Sequence, residues 1–278
     1  MKIRPFRPAD SAALTRLQPR ARRLPEEVAA GGQAWLAVEG EGLIGYASVV
    51  RVPGLPGVVD FDCFVVPGRR RQGVGSALLR HVIQAMAGTE IGQLSHAVSS
   101  PESEAAHFLQ AQGFYPEHEE WRLERRDLAT LPPLSLPEGG TIQTFGRREA
   151  IEHFRTLYEQ SFGGTPWYQP YTEAEVAADL DKATDLLFIL WGGEPAGFAW
   201  IRLEQGKAGV IEPFGVASAF QGRGCGRVLL RAALHQLARR GAQRVRLGLW
   251  ARNQAALALY QSEGFRHRGT RYYLALDL

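Results

Sequence analysis

The strongest constraint on the fold of this 278-residue chain is that it contains one pattern twice. In each half an apolar strand pattern runs into a glycine-rich turn and then into a helical pattern. The second copy reads Val216-Ala217-Ser218-Ala219-Phe220-Gln221-Gly222-Arg223-Gly224-Cys225-Gly226-Arg227, and Val228, Leu229, Leu230, Ala233, Leu234 and Leu237 follow at helical spacing. Arg239-Arg240-Gly241 closes that helix with cations and a glycine stop. The first copy is a strand over residues 58–66, the turn Arg70-Arg71-Gln72-Gly73-Val74-Gly75, and a helix through Leu78, Leu79, Val82, Ile83 and Met86. A Gly-Phe pair, Gly113-Phe114 or Gly264-Phe265, stands 40 residues after Gly73 and Gly224 alike. Equal intervals between matching landmarks indicate a tandem duplication.

The flanking segments repeat as well. Ile3-Arg4-Pro5-Phe6 matches Ile142-Gln143-Thr144-Phe145, and two strand patterns joined by a glycine-containing turn follow in each half. Between the halves, three prolines and two glycines in residues 127–140 disfavour helix and central strand. The expected division is an N-terminal domain at 1–128, a linker at 129–140 and a C-terminal domain at 141–278. Each half reads strand, helix, β-meander, glycine loop with helix, strand, short helix, closing strands. That order implies α+β folding, with a mixed, mostly antiparallel twisted sheet flanked by helices in each domain. The second half is 13 residues longer between Phe145 and Ala199 than the first between Phe6 and Ala47. The excess falls in residues 161–171 and the acidic helix after them.

Composition excludes several classes. Hydrophobic residues make up 45% and charged residues 22%, as in ordinary globular proteins, and no apolar run approaches the roughly 20 residues of a membrane helix. The N-terminus has no apolar signal region, and Cys63 and Cys225 show no paired spacing, so a cytoplasmic protein without disulfides or metal is expected. A net charge of +3, with scattered arginines and no aromatic interleaving, fits a small polyanionic ligand better than nucleic acid.

A helix that begins in glycines offers unpaired N–H groups and a positive dipole end, which suits a pyrophosphate. Missing side chains at Gly222, Gly224 and Gly226 would admit phosphate oxygens, with Arg223 and Arg227 adding mobile charge. The alternative is steric: a left-handed turn before a helix needs glycine regardless of any ligand.

At these residues the sequence resembles the GNAT superfamily of N-acyltransferases, in tandem form. The family's signature stands here as Gln221-x-x-Gly224-x-Gly226 and as Arg70-x-x-Gly73-x-Gly75. Its later motif stands as Asn253, Ala256, Tyr260 and Gly264-Phe265. The resemblance implies acetyl-coenzyme A, with its pyrophosphate on residues 221–227 (Cys225 included, as a loop position only) and its pantetheine beside Phe214, Gly215 and Val216. Asn253 would bond the cofactor or cap the helix, and Tyr260 would lie near the cofactor sulfur. A second cofactor loop is implied at Val65, Arg70, Arg71, Gln72, Gly73, Val74 and Gly75.

The implied reaction is acyl transfer from a thioester to the primary amine of a small molecule, by a monomer or homodimer with no nucleic-acid or membrane partner. Tyr260 is the candidate acid, or else a core aromatic. Glu212 is the candidate base, or else a sheet-edge carboxylate paired with an arginine. The N–H of Val216 is the candidate oxyanion donor. Trp167, Tyr168 and Tyr171 in the excess segment either roof an acceptor pocket or pack as a loop. The first half has Leu109 and Glu102 where the second has Tyr260 and Asn253, so it is expected to be catalytically silent. Asp60 or Asp62 as base and Tyr115 as acid keep the alternative open. Two other functions stand beside this one, a protein-directed acetyltransferase and a non-catalytic acyl-coenzyme A sensor.

Overall fold

Glycine sets the backbone at the strand-to-helix junction of both repeats. Gly73 and Gly224 are the residues before the two helices and take φ of 80° and 84°, a left-handed conformation that costs other residues strain. The computed structural model describes residues 1–52, 54–165, 168–182, 185–204 and 207–278. The first repeat runs β1 (Lys2–Pro5), α1 (Ser11–Leu17), α2 (Leu24–Ala29), β2 (Gln33–Glu39), β3 (Gly42–Val52), β4 (Leu55–Val65), α3 (Val74–Met86), β5 (Gln93–Val98), α4 (Glu104–Ala111) and β6 (Tyr115–Arg125). The second runs β7 (Gly140–Gln143), α5 (Arg147–Phe162), α6 (Glu173–Asp179), β8 (Leu186–Trp191), β9 (Glu194–Glu204), β10 (Ala208–Val216), α7 (Cys225–Arg239), β11 (Arg244–Trp250), α8 (Gln254–Ser262) and β12 (Arg266–Asp277).

In space the chain divides into Met1–Glu117 with Tyr272–Leu278 (unit 1) and His118–Arg271 (unit 2). The sheet of unit 1 is ordered β1-β2-β3-β4-β5 and is completed by the last residues of β12, Tyr272 opposite Val98 through Asp277 opposite Gln93. That of unit 2 is ordered β6-β11-β10-β9-β8-β7, with Val245 of β11 opposite Arg125 and Trp250 opposite Glu120. The closing strands are therefore exchanged, and the sequence division at 128 and 141 does not follow the compact units. The physical reason is local equivalence: β5 and β11 offer the same antiparallel edge, so strand pattern alone cannot assign a partner. Residues 129–139 form an irregular strap within unit 2, held where the His235 ring N–H donates to Pro132 O at 2.8 Å.

Both units bury apolar side chains on the two faces of their sheets. In unit 2, Leu187 and Ile189 of β8 face α7 with Leu229, Leu230, Ala233, Leu234 and Leu237, as the helical spacing predicts. Leu186, Phe188 and Leu190 of the same strand face α5 with Phe154, Leu157 and Tyr158. Burial on both faces explains why β8 reads as a continuous apolar run. In unit 1, α3 and α4 cover one face while α1 and α2 cover the other.

One irregularity recurs in both sheets. Strand β10 pairs in parallel with β11 only from Ala208 to Val210, and β4 with β5 only from Val58 to Asp60. Beyond those points the strands part, and a slot opens at the C-terminal end of β4 and of β10.

Candidate active site

The slot in unit 2 exposes particular backbone groups. Ala217 N–H donates to Ala196 O at 3.0 Å, so by strand alternation the N–H and C=O of Val216 turn away from β9 and into the slot. The Val216 carbonyl accepts from Gln221 Nε2 at 3.0 Å, which staples the glycine turn to the strand end. In unit 1 the Val65 carbonyl accepts from Arg70 Nε at 3.2 Å, so the first residue of both motifs performs the same task.

The turn that follows Gln221 is open. Cβ atoms built on Gly222 and Gly224 would meet nothing within 4 Å, and φ is positive at both, +75° and +84°. In unit 1 Arg71 takes the place of Gly222 and holds φ at 60° without being glycine. Gly226 is used differently from the expectation: a Cβ there would lie 3.4 Å from the Leu259 side chain, and one on Gly75 3.1 Å from the Phe108 ring. At Gly75 the missing side chain lets α3 approach α4 closely, while the contact at Gly226 is an ordinary one. Arg227 is not a free cation. It pairs with Glu263 at 3.3 Å and donates to Ser262 Oγ at 3.2 Å, beside a bidentate Arg231–Glu263 pair at 2.9 Å. Arg223 rests over the rings of Trp191 and Phe220.

Glu212 and Tyr260 both lie by the β10 bulge beside the slot, the Tyr260 ring against Phe214. Glu212 lies where β10 bulges between Ile211 and Phe214. It is accessible to solvent but crowded by protein atoms in a concavity; that burial raises its carboxyl above the usual range, and the charge of Glu120 raises it further. Arg202, Arg271 and Arg246 pull in the other direction. No ion pair to Glu212 is formed among the described residues, so the sheet-edge salt bridge is not its arrangement. Tyr260 is 5% exposed, with its ring 6.1 Å from Phe214 and 5.8 Å from Phe265. Burial first, and then the negative charge of Glu212, raise its hydroxyl well above the ordinary tyrosine value.

Other candidates sort by geometry. Asn253 caps α8, its Oδ1 accepting from Ala256 N at 3.1 Å. Tyr171 stacks edge-on against Tyr158 at 4.9 Å, and its hydroxyl is raised by burial and then by Glu212, which brings it to the same concavity. Tyr168 packs 6.0 Å from Tyr158, while Trp167 lies outside the described residues. In unit 1, Leu109 is buried where the repeat places Tyr260. Tyr115 bonds Asp277 at 2.9 Å beside Gln93, at the opposite end of β5 from the slot, so it is not an acid for that unit.

One residue escaped sequence reasoning. Cβ built on Gly248 would lie 2.8 Å from Glu120 Oε1 and 3.0 Å from Glu212 Oε1, so two carboxylates converge on one point of β11. Glu120 comes from β6, the closing strand of the first repeat, and pairs with Arg271 at 3.7 Å. No signal in the sequence links it to Glu212.

Comparison with known proteins decides what this arrangement belongs to. The model of the acetyltransferase (GNAT) family matches residues 149–265, and that of the acetyltransferase (GNAT) domain matches residues 30–116. A mycothiol acetyltransferase of Nocardioides sp. is 32% identical over 79% of this chain and 81% of its own. The chain belongs to the GNAT acetyltransferase family. A mycothiol acetyltransferase of Nocardia farcinica is 31% identical over 84% of this chain and 80% of its own. Among solved structures, a GCN5-related N-acetyltransferase from Sphaerobacter thermophilus superposes with a TM-score of 0.74 at 22% identity, covering 99% of this chain and 95% of that one. A tandem GNAT protein from the clavulanic acid biosynthesis pathway gives 0.73 at 16% identity, covering 99% and 98%. The protein is thus a tandem GNAT acetyltransferase, and its family takes the acyl group from acetyl-coenzyme A.

In a GNAT enzyme with this geometry, Gly248→Ala is expected to lower turnover about tenfold, near 1.4 kcal/mol in the barrier. The new methyl displaces the Glu120 and Glu212 carboxylates without altering any charge. Steady-state kinetics together with an unchanged melting temperature would check this; wild-type turnover would show that carboxylate placement is immaterial.

Proposed function

We propose that unit 2 transfers an acetyl group from acetyl-coenzyme A to a primary amine of a small molecule, with Glu212 as base and Tyr260 as acid. The observation that supports this reading is that the Tyr260 ring packs 6.1 Å from Phe214, two residues from Glu212 at the β10 bulge beside the slot. The junction suits the cofactor. Gly222 and Gly224 leave open space over their main chain, and Ser161 Oγ lies buried without a partner among the described residues, its Cβ 3.0 Å from a Cβ built on Gly215. Gln221 through Arg227 would hold the pyrophosphate, and Phe214, Gly215 and Val216 the pantetheine. When bound, the cofactor supplies an activated acetyl thioester.

The chain's own residues have three tasks. An alkylammonium has a pKa of about 10.4, so freeing the amine at pH 7 costs roughly 4–5 kcal/mol. Glu212, beside the slot and in its ionised form, removes that proton directly or through water. The N–H of Val216, turned into the slot, donates to the carbonyl oxygen as it gains charge. Tyr260 keeps its proton at all physiological pH and donates it to the departing sulfur. Unit 1 has the slot but not the tyrosine, and in this reading it is silent.

The name shared by the relatives makes a mycothiol-related amine one acceptor to try. Mass-shift screening of an amine panel, that compound included, with the wild type and Tyr260→Phe tests the function. Acetylated products that fall with the variant support it; acetyl-coenzyme A consumed with no amine acetylated would overturn it. Gly224→Val is expected to raise the Kd for coenzyme A about tenfold, since a β-branched residue strains at φ near +84° and fills the open turn. Calorimetry giving an unchanged Kd would remove the pyrophosphate assignment.

A further inference from the structure

Strand β9 sets Trp200 and Arg202 on one face of the unit 2 sheet, the face that α5 covers. Ile201 between them packs on the α7 side, so strand alternation turns its two neighbours the other way. Trp200 meets the Phe154 ring of α5 edge-on at 5.2 Å, and the Arg202 guanidinium carbon stands 5.9 Å from the centre of the Trp200 ring. Trp200 is 2% exposed, and its Nε1 is buried with no acceptor among the described residues. A buried donor left unmet is costly, so it points to a group that arrives from outside the chain.

Arg202 is half-buried, and among the described residues it forms no hydrogen bond or ion pair. The other cations near Glu212 are engaged: Arg246 with Glu204, and Arg271 with Glu120 at 3.7 Å. Arg202 lies opposite Val210, and Glu212 follows on the same face of β10, because Ile211 between them packs on the α7 side. Burial and then Glu120 raise the Glu212 carboxyl, and Arg202 is the largest of the charges opposing them. Even so, the two do not pair. Glu212 Oε1 leans towards β11, 3.0 Å from a Cβ built on Gly248, and so away from β9. Tyr171 senses both charges: burial and then Glu212 raise its hydroxyl, and Arg202 opposes them. A carboxylate and a guanidinium therefore share one face without neutralising each other.

We propose that unit 2 takes an acceptor amine that also carries a carboxylate, its ammonium towards Glu212 and its carboxylate on Arg202. This deepens the proposed function and rests on its placing of the acceptor beside Glu212. The guanidinium fork matches the two oxygens of a carboxylate, and the Trp200 ring holds it ready. A carboxylate has lone pairs beyond those a guanidinium uses, so it can also accept from the indole N–H. One uncommitted guanidinium beside Glu212 balances a monoanion; a phosphate dianion would be repelled by that same glutamate.

The test is a titration of the full-length protein with glycine, β-alanine, γ-aminobutyrate and butylamine, read by amide NMR shifts of Tyr171, Trp200 and Arg202. At least one of the three amino acids is expected to bind about tenfold tighter than butylamine, as charge-assisted hydrogen bonds supply. In Arg202→Gln that ratio should fall to near one, and Arg202→Lys, which keeps the charge and loses the fork, should restore part of it. Butylamine shifts in each variant report that the site persists. No saturable shift with any amino acid, a wild-type ratio near one for all three, or a ratio that survives Arg202→Gln would each overturn the proposal. Binding is read without turnover, so an amine panel in which nothing is acetylated overturns the transferase reading and not this one.

Discussion

Glu212→Gln is expected to lower kcat/KM for a primary alkylamine by about 10²–10⁴-fold at pH 7, the range a positioned general base supplies. Glutamine keeps the shape and removes only the capacity to take a proton. The loss should shrink as pH rises towards about 10.4, where the free amine exists without help. It should shrink too for acceptors of low pKa, which need no base at neutral pH. The wild-type profile carries the sign of the environment. As the proposed base Glu212 would act only when ionised, and burial and Glu120 raise its carboxyl, so the acidic limb of kcat/KM is expected above that of an ordinary carboxylate near 4.3. Glu120→Gln removes one of the raising charges and should move that limb down. Wild-type kcat/KM in Glu212→Gln would assign the base elsewhere.

The parts of this site that sequence made legible are those coded locally. The glycine at position 224 is required by a positive φ, the Gln221 and Arg70 staples act within five residues, and the face of α7 follows from helical spacing. Each of these is decided by neighbours along the chain. The glycines were legible as a set but not one by one. Gly222 and Gly224 face open space, whereas Gly226 meets Leu259 on α8, a contact only the tertiary fold defines.

What sequence could not give depends on the exchanged strands. Laying one repeat on the other sets Glu120 against Arg271, and nothing in that alignment brings Glu120 to the second site. It arrives because β6 pairs with β11, from Arg125 opposite Val245 to Glu120 opposite Trp250. The two closing strands have interchangeable local patterns, so their partners are chosen by long-range pairing alone. Packing of another kind hid a pair of carboxylates in unit 1. Asp62 and Glu27 lie 35 residues apart, and only the packing of α2 on the sheet makes them neighbours.

Tyr260→Phe is expected to lower kcat by about 10–100-fold at pH 7, the lower end of general acid catalysis, and to leave the Kd for coenzyme A unchanged. A raised hydroxyl invites the objection that it is too weak an acid for a thiolate of pKa about 8.5. Glu212 answers that objection. Its negative charge is one of the two causes that raise Tyr260, and as the proposed base it would lose that charge on taking the proton from the amine. The tyrosine therefore becomes a stronger donor only after the amine has been deprotonated, which orders the two proton transfers. This predicts that Glu212→Gln, neutral throughout, lowers the Tyr260 pKa, visible as an earlier phenolate absorbance on alkaline titration than in the wild type. The kinetic defect of Tyr260→Phe should narrow above pH 8.5, where a thiolate leaves without a proton. A defect constant from pH 7 to 10 would give Tyr260 a packing role against Phe214 and Phe265 instead of an acid's.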